Sequence, residues 1–234
     1  MIDKKVVLIT GSRKGIGRFL AEYYVEKGFM VVGCSRGPAD YVSERYTHFE
    51  LDVADEIQVK SLFREIRVNY GRLDVLINNA GIASMNHSLL TPISTVKSIL
   101  ETNVVGTFLF SREAAKIMKK NHFGRIINFV TFAIPFKLEG EAIYAASKAF
   151  LESLIKTCAL ENSGKGITSN AIQVGYFDAG LTHKIPTKIK NNILENIPSK
   201  RWGQIEELKN IVKMLIETEY VNGATIKVNG GTAF

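Results

Sequence analysis

The sequence predicts an α/β fold in which a mostly parallel, doubly wound sheet of seven strands carries helices on both faces. Three observations predict it. Short runs rich in Val and Ile alternate with helical stretches along the whole chain. The first run passes directly through a glycine-rich turn into a helix. Small, hydroxyl or amide residues then follow one strand end after another.

Val6 to Ile9 is continuously apolar, as a parallel strand buried on both faces requires. It ends in Thr10-Gly-Ser-Arg-Lys-Gly15-Ile-Gly17, and a helical pattern from Arg18 to Lys27 follows. Strand, glycine turn and helix together make a cradle for phosphate. Glycines let the backbone approach an anion closely, and the helix N-terminus attracts it. Phe29 to Ser35 is the second strand and Thr47 to Leu51 the third, leading into Asp52-Val53. A helix over about 55–69 precedes the fourth strand, Leu73 to Ile77, which ends in Asn78-Asn79-Ala80-Gly81. That tetrapeptide suits backbone packed against a ligand, and equally an ordinary turn.

A long helical region over about 93–120 contains Asn103. Gly124 to Thr131 is the fifth strand and ends in a hydroxyl. After a loop, Ala142 to Leu160 lacks Gly and Pro and reads as a helix. Ile167 to Val174 is the sixth strand, followed by Gly175-Tyr176. Residues 178–200 hold Gly, Pro and polar residues around a short helical pattern, and read as a lid over a site. A helix over about 205–217 and a last strand, Ala224 to Val228, close the sheet before Asn229-Gly230-Gly231. This is a Rossmann-type arrangement, and 1–234 is expected to form one domain. Ligand then sits beyond the carboxyl ends of the strands, where Thr10, Ser35, Asp52, Asn78 and Thr131 all fall.

Composition narrows the function classes. A chain of 234 residues that is 46% hydrophobic can bury a large core. It has no run of 18 or more apolar residues, so no membrane span is expected. The N-terminus, Met-Ile-Asp-Lys-Lys, lacks the pattern of a signal peptide. Cys34 and Cys158 are far apart and fit no metal or redox spacing, so reduced thiols and a cytoplasmic location are expected. His48, His87, His122 and His183 are scattered; they read as surface or packing residues, and no metal site is expected. The net charge of +7 is spread along the chain without an arginine-rich arm or nucleic-acid motif. It suits an anionic cofactor or an acidic protein partner better than nucleic acid or membrane.

The chemistry-bearing stretch is Tyr144-Ala-Ala-Ser-Lys148. On a helix, Tyr144 and Lys148 stand one turn apart on one face. An ammonium beside a phenol favours the phenolate and lowers a pKa that starts near ~10. Such a phenol can exchange a proton with a carbonyl or alcohol oxygen. At the end of the second strand, Ser35 and Arg36, together with Arg13, offer hydroxyl and cations and no acid. That set suits the 2′-phosphate of NADP(H) over the bare ribose of NAD(H).

With these motifs in order (TGSRKGIG at 10–17, LDV at 51–53, NNAG at 78–81, Asn103, YAASK at 144–148 and VNGG at 228–231), the whole chain resembles a short-chain dehydrogenase/reductase. It resembles the compact type that includes 3-oxoacyl-[acyl-carrier-protein] reductases. The resemblance implies that Tyr144 is the general acid toward the carbonyl. Lys148 would bind the nicotinamide ribose and lower the tyrosine pKa, Asn103 would hold a relay water, and Thr131 would polarise the carbonyl. It also implies cofactor contacts from Gly11, Ser12, Arg13, Gly15, Ile16, Gly17, Ser35, Arg36, Asp52, Val53, Asn79, Ala80, Gly81 and Gly175, beside Tyr144 and Lys148, and a homotetramer with D₂ symmetry.

Three positions depart from the family pattern. Thr131 stands where Ser is usual; its hydroxyl is kept, but its methyl restricts χ1. Val174 replaces the usual Pro, and Ala179 replaces a Thr near the nicotinamide amide, with Thr182 as the neighbouring candidate. Lys165 and the segment from Lys119 to His122 match positions that dock an acidic carrier protein, although His122 replaces a common Arg. The implied activity is NADPH-dependent reduction of a 3-oxoacyl thioester. A sugar, polyol or other small carbonyl compound is the alternative, because the fold does not choose the substrate. The intact Asn103, Thr131, Tyr144 and Lys148 set argues against a dinucleotide-sensing protein without turnover. Phe132, Ile134, Phe136 and Leu138 favour an acyl or aromatic substrate over a bare sugar.

Overall fold

A computed structural model describes residues 5–179 and 187–232. The strands are β1 (Val6–Thr10), β2 (Met30–Ser35), β3 (Tyr46–Glu50), β4 (Val75–Asn78), β5 (Gly124–Thr131), β6 (Ile167–Val174) and β7 (Thr225–Val228). They form one sheet in the order β3-β2-β1-β4-β5-β6-β7, every neighbouring pair parallel. The sheet is therefore fully parallel and doubly wound, as its apolar runs predict. The order reverses direction between β1 and β4, which opens a crevice at their carboxyl ends.

The helices are α1 (Gly15–Glu26), α2 (Glu56–Tyr70), α3 (Ile93–Leu100), α4 (Gly106–Asn121), α5 (Ala133–Phe136), α6 (Ala142–Asn162), α7 (Thr187–Asn196) and α8 (Ile205–Glu217). Alternate strand residues serve opposite layers. Leu8, Leu76 and Ile126 pack with Phe63 of α2 and Phe110 of α4. Val7, Ile77 and Ile127 pack with Leu20 of α1 and Leu208 of α8. The inner face of α6 adds Leu151 and Ile155 over Val130 and Ala171.

Two elements differ from the sequence expectation. The long helix over 93–120 is interrupted by a π-helical turn, Glu101–Val105, which widens the helix where Asn103 turns inward. The loop before α6 contains the short helix α5. Of the segment expected to act as a lid, 187–196 is helical, while Thr182 and His183 lie outside the described residues.

Buried amides tie the central strands together. Asn78 Nδ2 donates to Asn128 Oδ1 at 2.8 Å and to Ser111 Oγ at 3.0 Å. Asn128 Nδ2 reaches Asn170 O at 3.2 Å, and Asn170 in turn donates to Val221 O at 2.8 Å. Each buried polar group in this row has a partner, so it specifies strand order without leaving an unpaired donor.

Phe63, fully buried, meets Phe110 edge to face with ring centroids 5.6 Å apart. Phe63→Ala should destabilise the fold by about 3–5 kcal/mol through the cavity it leaves. Ile57→Ala, on the 81% exposed side of the same helix, should stay within about 0.5 kcal/mol. Urea unfolding of the two variants checks the layer assignment; equal losses would contradict it.

Candidate active site

The crevice is built first by backbone. Gly11 has φ +68°, and a β-carbon there would stand 2.9 Å from Asn79 Nδ2 and 3.0 Å from Ala80 Cα. On Gly17 it would stand 2.4 Å from Gly11 O. Only glycine fits either position. Thr10 Oγ1 accepts from Asn79 N at 3.0 Å and Ala80 N at 2.9 Å, while Asn79 Nδ2 donates to Thr10 O at 2.9 Å. The glycine turn and the Asn-Asn-Ala-Gly segment thus form one unit. Gly15, Ile16 and Gly17 open α1, whose Lys14 N-cap supplies no side-chain cap and whose first turn has no acid. The helix N-terminus consequently keeps its positive end for an anion.

At the adenosine-side edge, Ser12 is buried while Arg13 and Arg36 are exposed. Neither arginine forms an ion pair among the described residues. The Arg13 guanidinium lies over Gly37, with Nη1 3.0 Å from where a β-carbon would be. Ser35 Oγ is turned toward its own loop and donates to Gly37 O at 2.7 Å. Asp52 Oδ1 accepts from Ala54 N at 2.9 Å and shapes the turn after β3, while Val53 packs against Gly106 of α4.

The reactive end gathers at the carboxyl ends of β4 and β5. Asn103, fully buried, braces it: Oδ1 accepts from Ile82 N at 2.9 Å, and Nδ2 donates to Ile82 O at 2.9 Å and Ser147 Oγ at 3.0 Å. Ser147 Oγ donates to Tyr144 O at 2.7 Å. Both amide protons of Asn103 are therefore in use, and its side chain braces Ile82 against Ser147. Lys148 is buried and its ammonium donates to Phe129 O at 2.8 Å. A β-carbon on Gly81 would stand 3.3 Å from Asn103 Oδ1 and 3.4 Å from Lys148 Nζ, so these three residues meet. Gly175 donates to Val228 O at 2.9 Å and joins β6 to the last glycine turn. Val174 completes β6 between Thr131 and Val228, and Ala179 is buried without a hydroxyl to offer.

Electrostatics correct one expectation. The sequence predicts a tyrosine made more acidic by Lys148. Burial instead pushes the Tyr144 phenol up to about 12, opposed by a hydrogen bond from Thr131 and reinforced by the Glu141 carboxylate. The same burial pulls Lys148 down to about 8. Desolvation disfavours both charged forms here. Thr131 Oγ1 accepts from Ala133 N at 3.2 Å, while its own proton is directed at the Tyr144 oxygen. The arrangement can thus hold a neutral phenol and a hydroxyl donor side by side, with Lys148 one turn further along α6. Phe132, Tyr176 and Trp202 form an aromatic wall nearby, with centroids 4.6 Å and 5.7 Å apart in sequence.

Sequence reasoning missed three residues. Ser147 lies inside the quoted motif, three residues after Tyr144, and its spacing pointed to a bond within the helix. Glu141, half-buried one turn before Tyr144, has its carboxyl pKa raised by burial. His48 belongs to a hydrogen-bonded cluster at the adenosine-side edge. Among the described residues, no group of three His, Cys, Asp or Glu could hold a metal ion, and no helix is long and apolar enough to cross a membrane.

A glycine cradle at a topological switch point, joined to a Tyr/Lys/Thr cluster at the neighbouring strand ends, defines a nicotinamide-dinucleotide oxidoreductase of carbonyl and alcohol groups. The comparisons agree: the chain belongs to the short-chain dehydrogenase/reductase family. A family model described as Enoyl-(Acyl carrier protein) reductase matches residues 11–233. The chain is 32% identical over 237 residues to 3-oxoacyl-[acyl-carrier-protein] reductase FabG of Escherichia coli, covering 98% of this chain and 97% of that one. The reductase of the same name from Haemophilus influenzae is 31% identical over 235 residues, with 97% of each chain covered. The structure of Thermoplasma acidophilum aldohexose dehydrogenase in ligand-free form superposes with a TM-score of 0.91 at 28% identity, covering 98% of this chain and 94% of that one.

Asn103→Leu keeps the shape but leaves the Ile82 N–H and C=O without their partner. It should cost at least about 2 kcal/mol in urea unfolding, since each orphaned polar group costs about 1–3 kcal/mol. A loss below about 0.5 kcal/mol would show that the brace is dispensable.

Proposed function

We propose that this protein is an NADPH-dependent carbonyl reductase, with a 3-oxoacyl thioester on an acyl carrier protein as its substrate. The observation that carries the reading is the hydrogen bond between Thr131 and Tyr144 at the end of β5, with Lys148 one turn along α6 beside Gly81. The similarity to 3-oxoacyl-[acyl-carrier-protein] reductases over nearly the full length supports the substrate class. The aromatic wall of Phe132, Tyr176 and Trp202 suits an acyl chain. Arg13 and Arg36, exposed and without ion pairs among the described residues, support the 2′-phosphate.

Gly11, Ser12 and the N-terminus of α1 would hold the pyrophosphate, and Asn79, Ala80, Gly81 and Lys148 the ribose and nicotinamide. When bound, the cofactor supplies hydride to the carbonyl carbon. Thr131 donates a hydrogen bond to the carbonyl oxygen as negative charge develops, and Tyr144 gives that oxygen its proton. Burial keeps the Tyr144 phenol protonated, the form that can donate to the carbonyl oxygen. The Lys148 ammonium, one turn along α6 from Tyr144, would favour the phenolate that remains.

Lys119, His122 and Lys165 lie at the amino ends of β5 and β6, the opposite end from Thr131. Eight residues of strand span roughly 25 Å. A carrier protein docked there would serve the site of a neighbouring subunit, which links this reading to an oligomer. The outer faces of α3, α4, α6 and the π-turn expose Leu100, Val105, Phe108 and Phe150, an apolar surface suited to pairing between copies. A homotetramer acting in the cytoplasm, each chain one domain with a lid at about 178–200, completes the reading.

One observation favours a second substrate class. Glu141 presents a half-buried carboxylate beside Tyr144 with no hydrogen-bond partner among the described residues. A sugar or polyol hydroxyl could donate to it, and the aldohexose dehydrogenase shares the fold closely. NADPH oxidation with acetoacetyl thioesters beside aldohexoses and aromatic ketones separates the two. Turnover of sugars alone would overturn the thioester reading.

Tyr144→Phe should lower kcat by orders of magnitude while NADPH affinity, read by fluorescence titration, stays within about twofold, because only the proton donor is lost. Thr131→Ser should be tolerated, and Thr131→Ala should cost about 10²-fold, the scale of one oxyanion donor. Near-normal turnover in Tyr144→Phe would contradict the assignment.

The pH dependence follows from Lys148. Its ammonium is present below about pH 8 and lost above it, so kcat/KM for reduction should be flat below about 8 and fall above. A profile flat to pH 10 would show that the ammonium is not required.

A further inference from the structure

We propose that His48 is a positioning residue that sets the preference for a dinucleotide carrying a 2′-phosphate, an inference that rests on the NADP(H) reading above. In the β2–β3 register, His48 stands opposite Gly33. A β-carbon on Gly33 would lie 2.3 Å from both Ser12 Oγ and Tyr46 OH, so the missing side chain is the gap through which these hydroxyls meet. The imidazole lies at the edge of this gap. Its Nδ1 is 2.9 Å from Tyr46 OH and 3.5 Å from Ser12 Oγ. Its Nε2 is 3.1 Å from Ser35 Oγ and 3.1 Å from Gly37 O.

The partners fix the direction of the bonds. Gly37 O can only accept, so Nε2 carries the proton and Nδ1 accepts from Tyr46 OH. Tyr46 OH in turn accepts from Ser12 Oγ at 2.9 Å. Ser35 Oγ also donates to Gly37 O, at 2.7 Å. One chain of donors therefore runs from Ser12 in the glycine turn, through the ring, to the carbonyl of Gly37.

Its product is a fixed turn at the end of β2. The Gly37 carbonyl receives two hydrogen bonds and so competes little for the Arg13 guanidinium that lies over this residue. Arg36 sits between Ser35 and Gly37, both tied to the same ring. Arg36, and the Gly37 over which the Arg13 guanidinium lies, thus rest on a turn that His48 holds. A ring that only filled space would need none of these partners.

Calorimetric titration with NADPH and with NADH tests the proposal without a known substrate. The wild type should bind NADPH about tenfold or more tightly than NADH. His48→Leu should weaken NADPH about five- to tenfold and leave NADH within about twofold, the scale of one or two lost hydrogen bonds near a charged ligand. His48→Gln, whose amide can still donate to Gly37 O, should recover most of the NADPH affinity, and His48→Asn, which is too short, should not. Equal weakening of both cofactors by His48→Leu, or no weakening, would overturn the proposal. If His48→Leu does not fold, as thermal unfolding would show, equal NADPH affinities for the Gln and Asn variants would overturn it instead. A wild type without NADPH preference would overturn the cofactor reading itself. Unselective variants in an NADPH-preferring wild type would overturn the role of His48 alone.

Discussion

Gly11 and Gly17 lie so close that a single β-carbon on Gly17 would stand 2.4 Å from the Gly11 carbonyl oxygen. That contact sets how near α1 comes to β1 and how tightly the glycine turn packs on Asn79 and Ala80. Thr10, Asn79 and Ala80 then close the seam with three hydrogen bonds of 2.9–3.0 Å. Because the strand order reverses at this seam, it is also where a crevice must open. The cradle exists because backbone meets backbone with no side chain between them.

The reactive end depends on a second constraint, the desolvation of charge. Burial raises the phenol of Tyr144 and lowers the amine of Lys148, so each group leans toward its neutral form before any ligand arrives. Asn103, Ser147 and the π-turn keep the two groups in register by joining Ile82, after β4, to the helix that carries them. Stability and chemistry meet in the same side chain, since the amide that satisfies buried backbone also orients the lysine's surroundings.

Much of this was legible in the sequence. The strands show as apolar runs because both faces of a parallel sheet are buried, and their ends show as Thr10, Asn78 and Thr131, polar residues that stay buried but carry hydrogen bonds where the sheet meets the crevice. Other features were not legible for physical reasons. The π-turn leaves no mark in composition, since Glu101 to Val105 reads as ordinary helix. The direction of the Tyr144 shift depends on how deeply the phenol is buried, which spacing does not report. His48 looked like a scattered histidine because its partners, Ser12, Tyr46, Ser35 and Gly37, come from three separate segments that only the β2–β3 register brings together.

The account stands on the transfer of hydride at the site formed by Thr131, Tyr144 and Lys148. The direct measurement is a reaction of the purified protein with acetoacetyl thioester and NADPH carrying deuterium at both nicotinamide C4 positions, with the product analysed by mass spectrometry. The account predicts a 3-hydroxybutyryl thioester with one deuterium on the carbinol carbon, formed by the wild type and not by Tyr144→Phe. Product without deuterium, or equal labelled product from Tyr144→Phe, would contradict it.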